Sequence, residues 1–516
     1  MKKNIKPPLA VIVLLSVATL ATLNSCKQKA KTQEETATEE TNKVHIRSNI
    51  YDLGANSQMV ASYRKGVEVM KTKPATDPTS WAYQAAIHGT YSTPAQPIWN
   101  QCQHGSYYFL SWHRMYLYYF EKIVRKSSGD PNFALPYWNY SDIPAQAVMP
   151  EEFRQPADAS NTFYVVQRNP SINAGAALPP SVVSYSVAFG FTNFLAPTGS
   201  GLGFGGQIIP APEHFTGPPG RIESQPHNIV HSTIGGWMGD PNTAAQDPIF
   251  WLHHSNIDRL WEKWLELGDG RSNPIENEIW MNTPFTFYDA DKEAFVTIMG
   301  KDILKTAAQL NYTYDDVPLT SYKKRDLKAF ATVESLIDTS KVRTTILASK
   351  QKIDVKGFKT PITLTSAPKF KALTEKLAPL QENEFSVAKK RFILNLDYVT
   401  YDTLSDGAYE VYINLPNDVA DPDVNSAYYV GTMGMFGFKG GHMHGGHDHG
   451  NQQQGGMLEY DITEQVSRLK ESNELKNINV TIYFRALLAP GTAKENVAIP
   501  VTKLTIANVT VKQIEF

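Results

Sequence analysis

Seven histidines, His88, His104, His113, His227, His231, His253 and His254, fall in two aromatic, helix-patterned blocks between Trp81 and Trp264. Thirteen histidines are ordinary for 516 residues, but this clustering is not. His227 and His231 stand at i and i+4, which puts both imidazoles on one helix face a turn apart, and Pro226 suits a helix start. His253 and His254 are adjacent and point about 100° apart, so one of them is a ligand and the other is not. Periodicity does not choose between them, because both sit beside Phe250, Trp251, Ile257 and Trp261. His104 and His113 are separated by about two and a half helical turns and would face opposite ways on one straight helix. His104 must therefore precede the helix or sit at a break, which Gly105 makes easy. His88, followed by Gly89 at the end of an earlier helical stretch, can supply a third imidazole. Two three-histidine sets without thiolate or carboxylate favour copper or zinc.

Length and composition set the frame. Single cores stop growing near ~250–300 residues, so 516 residues imply at least two domains. A formal charge of -2, with both signs interspersed, offers no field to gather nucleic acid or acidic substrates. Residues 1–25 read as a signal peptide, with Lys2, Lys3 and Lys6 ahead of an apolar run from Leu9 to Leu23. That run is short for a membrane helix of ~20 residues. Leu23-Asn24-Ser25-Cys26 resembles a bacterial lipobox, which implies an exported lipoprotein anchored to the membrane through Cys26. The only other cysteine is Cys102, so there is no disulfide framework.

Residues 26–44 are polar and read as a flexible tether. Helical patterns dominate residues 45–320, interrupted from Asp142 to Gly220 by loops rich in Pro, Gly, Asn and Ser. Residues 321–383 read as a linker. From 384 to 516 alternating, β-branched segments such as Tyr409-Glu-Val-Tyr-Ile-Asn predict an all-β domain. Gly440 to Gly456 is a Gly-, His- and Gln-rich tract; its His442, His444, His447 and His449 have the composition of a loose metal binder or a solvated loop.

His104-Gly-Ser-Tyr-Tyr-Phe-Leu-Ser-Trp-His113-Arg-Met-Tyr-Leu resembles the first copper signature of the tyrosinase and polyphenol oxidase family. Asp247-Pro-Ile-Phe-Trp-Leu-His-His254-Ser-Asn-Ile-Asp-Arg259 resembles the second. Phe285-Thr-Phe-Tyr-Asp and Tyr312-Thr-Tyr-Asp-Asp-Val look like the middle segment of plant polyphenol oxidases. Gly431-Thr-Met-Gly-Met-Phe looks like part of their C-terminal β-domain. The resemblance implies an α+β multidomain fold: a mainly helical four-helix-bundle dicopper domain followed by an all-β sandwich. It implies two Cu ions, one on His88, His104 and His113 and the other on His227, His231 and His254, and so favours His254 over His253. It implies oxidation of phenolic small molecules to o-quinones with O2 as co-substrate.

Further roles follow from the same resemblance. Cys102-Gln-His104 is similar to the thioether of fungal tyrosinases, in which the cysteine sulfur is joined to a copper-binding imidazole. Glu223 and Asn228 resemble a pair thought to hold a water that deprotonates monophenols. Asp258, one turn after His254, can orient a ligand histidine or anchor its helix. The C-terminal domain is expected to act as a lid over the coppers. The alternatives are a catechol or o-aminophenol oxidase without monophenolase activity, a haemocyanin-like O2-binding protein, and a copper-storing surface protein.

Overall fold

The computed structural model describes residues 44–54, 56–196, 201–317, 343–368, 370, 390–438, 455–493 and 503–515. The expected leader and tether up to residue 43, Cys26 among them, and the histidines from 442 to 449 lie outside the described residues. Among those described, no helix is long and apolar enough to cross a membrane.

The helical region is built on α1 (Gln58–Thr72), α2 (Trp81–His88), α3 (Tyr108–Ser128), α4 (Ile229–Ile234) and α5 (Pro248–Glu266). Local chemistry fixes their starts. Ser57 and Ser80 accept from the N–H groups of Val60 and Tyr83, at 3.2 and 3.0 Å, and so cap α1 and α2. Asp247 caps α5, with Pro248 in the first turn. Asp247 is itself held by a bidentate Arg168 at 2.6 and 2.7 Å, both side chains being fully buried. Helix α1 turns Val60, Tyr63, Val67 and Met70 inward at helical spacing. Its Gly66 lets α3 come close, since a Cβ there would meet Val124 at 2.7 Å. Helix α3 ends at Gly129, whose left-handed φ of 76° suits glycine.

Two strand pairs close this region. β1 (His45–Arg47) lies parallel to a short strand at Tyr312–Tyr314, and between them in sequence Pro284–Asp289 and Ala294–Met299 form an antiparallel hairpin. In chain order the hairpin strands are β2 and β3, and Tyr312–Tyr314 is β4. Pairing β1 with β4 ties the two ends of the helical region together.

The C-terminal region is β-rich. Its strands are β5 (Arg343–Val355), β6 (Lys359–Thr363), β7 (Thr365–Ser366), β8 (Lys390–Tyr401), β9 (Gly407–Ile413), β10 (Tyr429–Thr432), β11 (Gly456–Asp461), β12 (Asn479–Ala486) and β13 (Leu504–Glu515). One sheet has the order β11-β8-β13-β5-β7, the other β10-β9-β12-β6. Leu394, Leu396, Val509 and Val511 of the first sheet share one apolar cluster with Val411, Val480, Ile482 and Phe484 of the second. A helix, α6 (Thr463–Glu471), follows β11.

This corrects the expected linker of residues 321–383. Residues 343–366 belong to the sheets: β5 pairs with β13 from Arg343↔Glu515 to Val355↔Leu504. Sequence reading misses β5 because its outer face is Lys, Gln and Thr and only Leu347, Ala348, Ile353 and Val355 are buried. Lys352, at φ 56°, further breaks the alternation.

The β-region packs on the histidine blocks. Ser232 accepts from the Met435 N–H at 2.9 Å, Arg221 donates to the Glu459 carbonyl at 2.7 Å, and Ser181 donates to Glu410 at 2.8 Å. Gly434 permits this approach, since a Cβ there would lie 2.9 Å from that of Asn228.

Candidate metal centre

The structure brings His88, His104, His113, His227, His231 and His254 to one buried place; none is more than 3% exposed. His88 ends α2, His113 lies on α3 and His254 on α5. His104 precedes α3, as the spacing required. Gly105 takes φ 70°, and a Cβ would overlap the Thr216 carbonyl oxygen at 1.6 Å. A parallel bridge to Phe215 holds His104, whose carbonyl accepts from the Thr216 N–H at 3.1 Å. His227 and His231 differ slightly from the expected single helix. His227 sits in a wide turn, Glu223–Asn228, in which Gln225 is extended at φ -147°, ψ 124°; regular helix begins at Ile229. Their rings are nevertheless 4.5 Å apart.

Backbone and amide oxygens orient the rings. His88 donates through Nδ1 to the Pro241 carbonyl at 2.8 Å, His113 to that of Phe109 at 2.8 Å, and His231 to that of Met238 at 2.7 Å. His227 Nδ1 donates to Asn228 Oδ1 at 2.8 Å. Each such bond leaves the Nε2 lone pair available to a metal, as in metal-bound histidines whose other nitrogen is held by the protein. The Nε2 atoms of His88, His104 and His113 have no hydrogen-bond partner. The rings of these three lie 5.2 to 5.6 Å apart.

Donor chemistry fits a cation here. His254 Nε2 lies 3.3 Å from His227 Nε2 and 3.2 Å from His231 Nε2. Lone pairs so close repel unless a positive centre lies among them, and imidazoles bonded to a zinc-sized ion at ~2.0–2.1 Å would stand at similar separations. Burial holds all six rings neutral, the state that binds metals; His113 is pushed down to about 3, and the others well below the usual histidine range. His253 also lies within reach of the second set. Its Nδ1, however, is hydrogen-bonded to the Tyr140 hydroxyl at 3.0 Å, and the nitrogen that meets both His227 and His231 belongs to His254.

Other expected residues lie close by. The buried Cys102 sulfur is 3.2 Å from His104 Nδ1 and 3.3 Å from His214 Nδ1. Glu223 is 1% exposed and accepts the Gly105 N–H with both oxygens, at 2.9 and 3.0 Å; burial raises its carboxyl well above the usual range. Among the described residues, Asp258 makes no hydrogen bond to a histidine. It accepts from Arg114 at 2.6 Å and from the Tyr312 and Tyr314 hydroxyls at 2.6 Å each, contacts that anchor its helix.

Three features escaped sequence reading. Phe436, from the β-region, stacks on His231 at 4.1 Å and meets His104 and His227 edge-on at 5.5 and 5.6 Å. Phe215 stacks on His104 at 4.6 Å. Tyr140 holds His253. None carries a local signal, although the Gly434-Met-Phe-Gly437 context marks a close approach: a Cβ on Gly437 would sit 3.2 Å from Phe215.

Residues 78–189 and 205–267 match the common central domain of tyrosinase, 275–326 the polyphenol oxidase middle domain, and 343–508 a domain of unknown function. Tyrosinase HcTyr1 of Hahella sp. (strain CCB-MM4) is 32% identical over 478 residues, covering 84% of this chain and 94% of that protein. The chloroplastic polyphenol oxidase of Malus domestica is 32% identical, over 70% of this chain and 64% of its own length. The fold matches latent apple tyrosinase with a TM-score of 0.56 at 22% identity, covering 91% of this chain and 97% of that one. The chain belongs to the tyrosinase and polyphenol oxidase family of copper oxidoreductases.

Proposed function

We propose that the protein oxidises monophenols and o-diphenols to o-quinones with O2, at two copper ions held by His88, His104 and His113 and by His227, His231 and His254, beneath a shielding C-terminal β-region. The observation that carries this reading is the convergence of six neutral, buried imidazoles under the ring of Phe436. Copper bound there would supply O2 binding and the two-electron oxidation of the phenol. The protein's own share is orientation. Carbonyls of Phe109, Met238 and Pro241 fix three rings, Asn228 fixes a fourth, and Phe215 packs flat on a fifth. Cys102 stands where a thioether to His104 would fix that ring further. Phe436 occupies the space over the second histidine set that a substrate ring needs, so turnover requires the β-region to move.

A second reading, diphenol oxidation without monophenolase activity, draws on Glu223. Both its oxygens are engaged by the Gly105 N–H, which competes with holding a water for a phenol proton. The test is O2 uptake by copper-loaded protein with a monophenol and its o-diphenol in parallel, before and after cleavage between Val317 and Arg343. Oxidation of both after cleavage establishes tyrosinase activity, and of the diphenol alone the second reading. Turnover of neither, with O2 bound, would overturn the enzyme in favour of a haemocyanin-like carrier.

A further inference from the structure

The Cys102-Gln103-His104 turn is splinted by a segment of chain 112 residues further on. A parallel bridge from His104 to Phe215 sets residues 214–216 alongside it. The His104 N–H donates to the His214 carbonyl at 3.2 Å, and the Thr216 N–H to the His104 carbonyl at 3.1 Å. The three residues of the splint then reach different parts of the turn. Phe215 lies flat on the His104 ring at 4.6 Å, with 8° between the planes. The Thr216 hydroxyl donates to the His104 and Gly105 carbonyls, at 3.3 and 3.1 Å. His214, half-buried, reaches Cys102: its Nδ1 lies 3.0 Å from the Cys102 carbonyl oxygen and 3.3 Å from the Cys102 sulfur.

The carbonyl contact fixes the tautomer of His214. A carbonyl oxygen only accepts, so the nitrogen bonded to it carries the proton, and one N–H is shared between the oxygen and the sulfur of the same residue. That donor ties the side chain of Cys102 to its own backbone and keeps χ1 in one staggered well. The sulfur is thereby held 3.2 Å from His104 Nδ1, in a cysteine that is fully buried. In this His104 differs from its neighbours. Nδ1 of His88, His113 and His231 is bonded to backbone carbonyls, and that of His227 to an amide oxygen. The atom beside His104 Nδ1 is instead a sulfur on a rotatable side chain, which stays at the ring only while something holds it there. His214 is that hold.

We infer that His214 is a positioning residue for the thioether between Cys102 and His104, acting by keeping the sulfur against the ring until the bond closes. This deepens the proposed function and rests on the thioether included in it. In the closure, the S–H bond of Cys102 and one ring C–H bond of His104 break and an S–C bond forms. The two electrons and two protons released reduce one O2, the co-substrate of the proposed oxidation, to hydrogen peroxide. His214 neither gives nor takes an atom in this step; its share is geometric. A misplacement of ~1 Å can cost about 10²-fold in rate, and a change of χ1 well carries the sulfur further than that.

The test follows intact mass rather than turnover, as the copper-free full chain is loaded with copper under O2 and sampled over time, with copper content per chain measured alongside. The parent should lose two hydrogens. His214→Ala, which removes the donor from a half-buried position, should lose them more slowly by about tenfold or more, at the same copper content. His214→Asn puts an amide N–H where Nδ1 stands and should restore most of the parent's rate. A purely structural role would not distinguish the two variants in this way. Equal rates in His214→Ala and parent, equal slowing in both variants, or a loss of copper from His214→Ala that accounts for its slowing would each overturn the role. Failure of the thioether reading looks different: the parent itself would keep both hydrogens at full copper content, and its Cys102 would alkylate completely once unfolded.

Discussion

The ring of Phe436 stacks on that of His231 at 4.1 Å with an interplanar angle of 25°, joining the β-region to the heart of the histidine cluster. Phe436 is 3% exposed, and its neighbour Met435 anchors the same loop through Ser232. The contact is a packing interaction and, under the proposed function, an obstacle to a substrate ring.

Phe436→Ala should convert that obstacle into an opening. Removing a buried aromatic ring forfeits roughly 1.5–3 kcal/mol of burial, enough to shift a docked-to-open balance by ten- to a hundredfold. The full-length variant is expected to oxidise an o-diphenol faster by about that factor, with unchanged copper content by elemental analysis. An unchanged rate at full copper loading would show that Phe436 does not gate access.

Glu223→Gln separates the two activities. Glutamine retains an acceptor for the Gly105 N–H and so preserves the turn before His227, but it cannot carry away a phenol proton. Proton transfer by a positioned side chain contributes about 10²–10⁴-fold, so monophenol oxidation should fall by at least the lower figure while diphenol oxidation changes little. Equal loss on both substrates would remove Glu223 from that role.

The metal-binding pattern was legible in sequence wherever it rests on local geometry. The i,i+4 pair, the helix break at Gly105 and the impossibility of two adjacent ligands all follow from helical periodicity. What remained hidden depends on segments far apart in the chain. The carbonyls of Pro241 and Met238 orient His88 and His231, and no local pattern in the sequence marks either contact. Phe436 comes from a region more than 170 residues beyond His254. Strand β5 reads as linker in the sequence because a strand whose buried side is four short or medium side chains hardly alternates. Elements with one strong internal period announce themselves, and elements defined by what they touch do not.

Acid should destabilise the copper-free protein in a defined window. Burial lowers the folded-state affinity of the site histidines for protons, to about 3 for His113, whereas unfolded histidines titrate near ~6.5. The unfolded chain therefore takes up more protons as pH falls below ~6.5, and each such histidine removes up to about 1.4 kcal/mol per pH unit. The Tm of copper-free protein should be flat above pH 7 and fall steeply from pH ~6.5 to 5. A Tm that is level across that range would mean the rings are protonated in the folded state.

Cys102 offers a covalent test. Its sulfur lies beside His104, and joining the two removes one hydrogen from each. Copper-loaded protein exposed to O2 should have an intact mass lower by two hydrogens, mapped by peptide analysis to the segment holding Cys102 and His104. Cys102→Ser should show no such loss. A Cys102 thiol that reacts with alkylating reagent once fully active enzyme has been unfolded would exclude the bridge.

Asp258 decides whether a carboxylate next to a metal-binding helix turn acts on the metal or on the fold. It stands where β1, α3, α5 and β4 meet, accepting from Arg114, Tyr312 and Tyr314, with Arg47 at 3.5 Å. Arg114 and Arg47 are fully buried, and Glu262 and Glu121 supply their other counter-charges at 2.8 Å. Asp258→Asn keeps the shape and removes one charge, leaving the arginines short of compensation in a dry interior. Breaking such a buried pair costs about 3–5 kcal/mol, so a large drop in Tm is expected. Because Asp258 makes no hydrogen bond to a histidine among the described residues, diphenol turnover per bound copper in the surviving folded protein should stay near that of the parent. A loss of turnover per copper larger than the loss of folded protein would instead make Asp258 a positioning residue for His254.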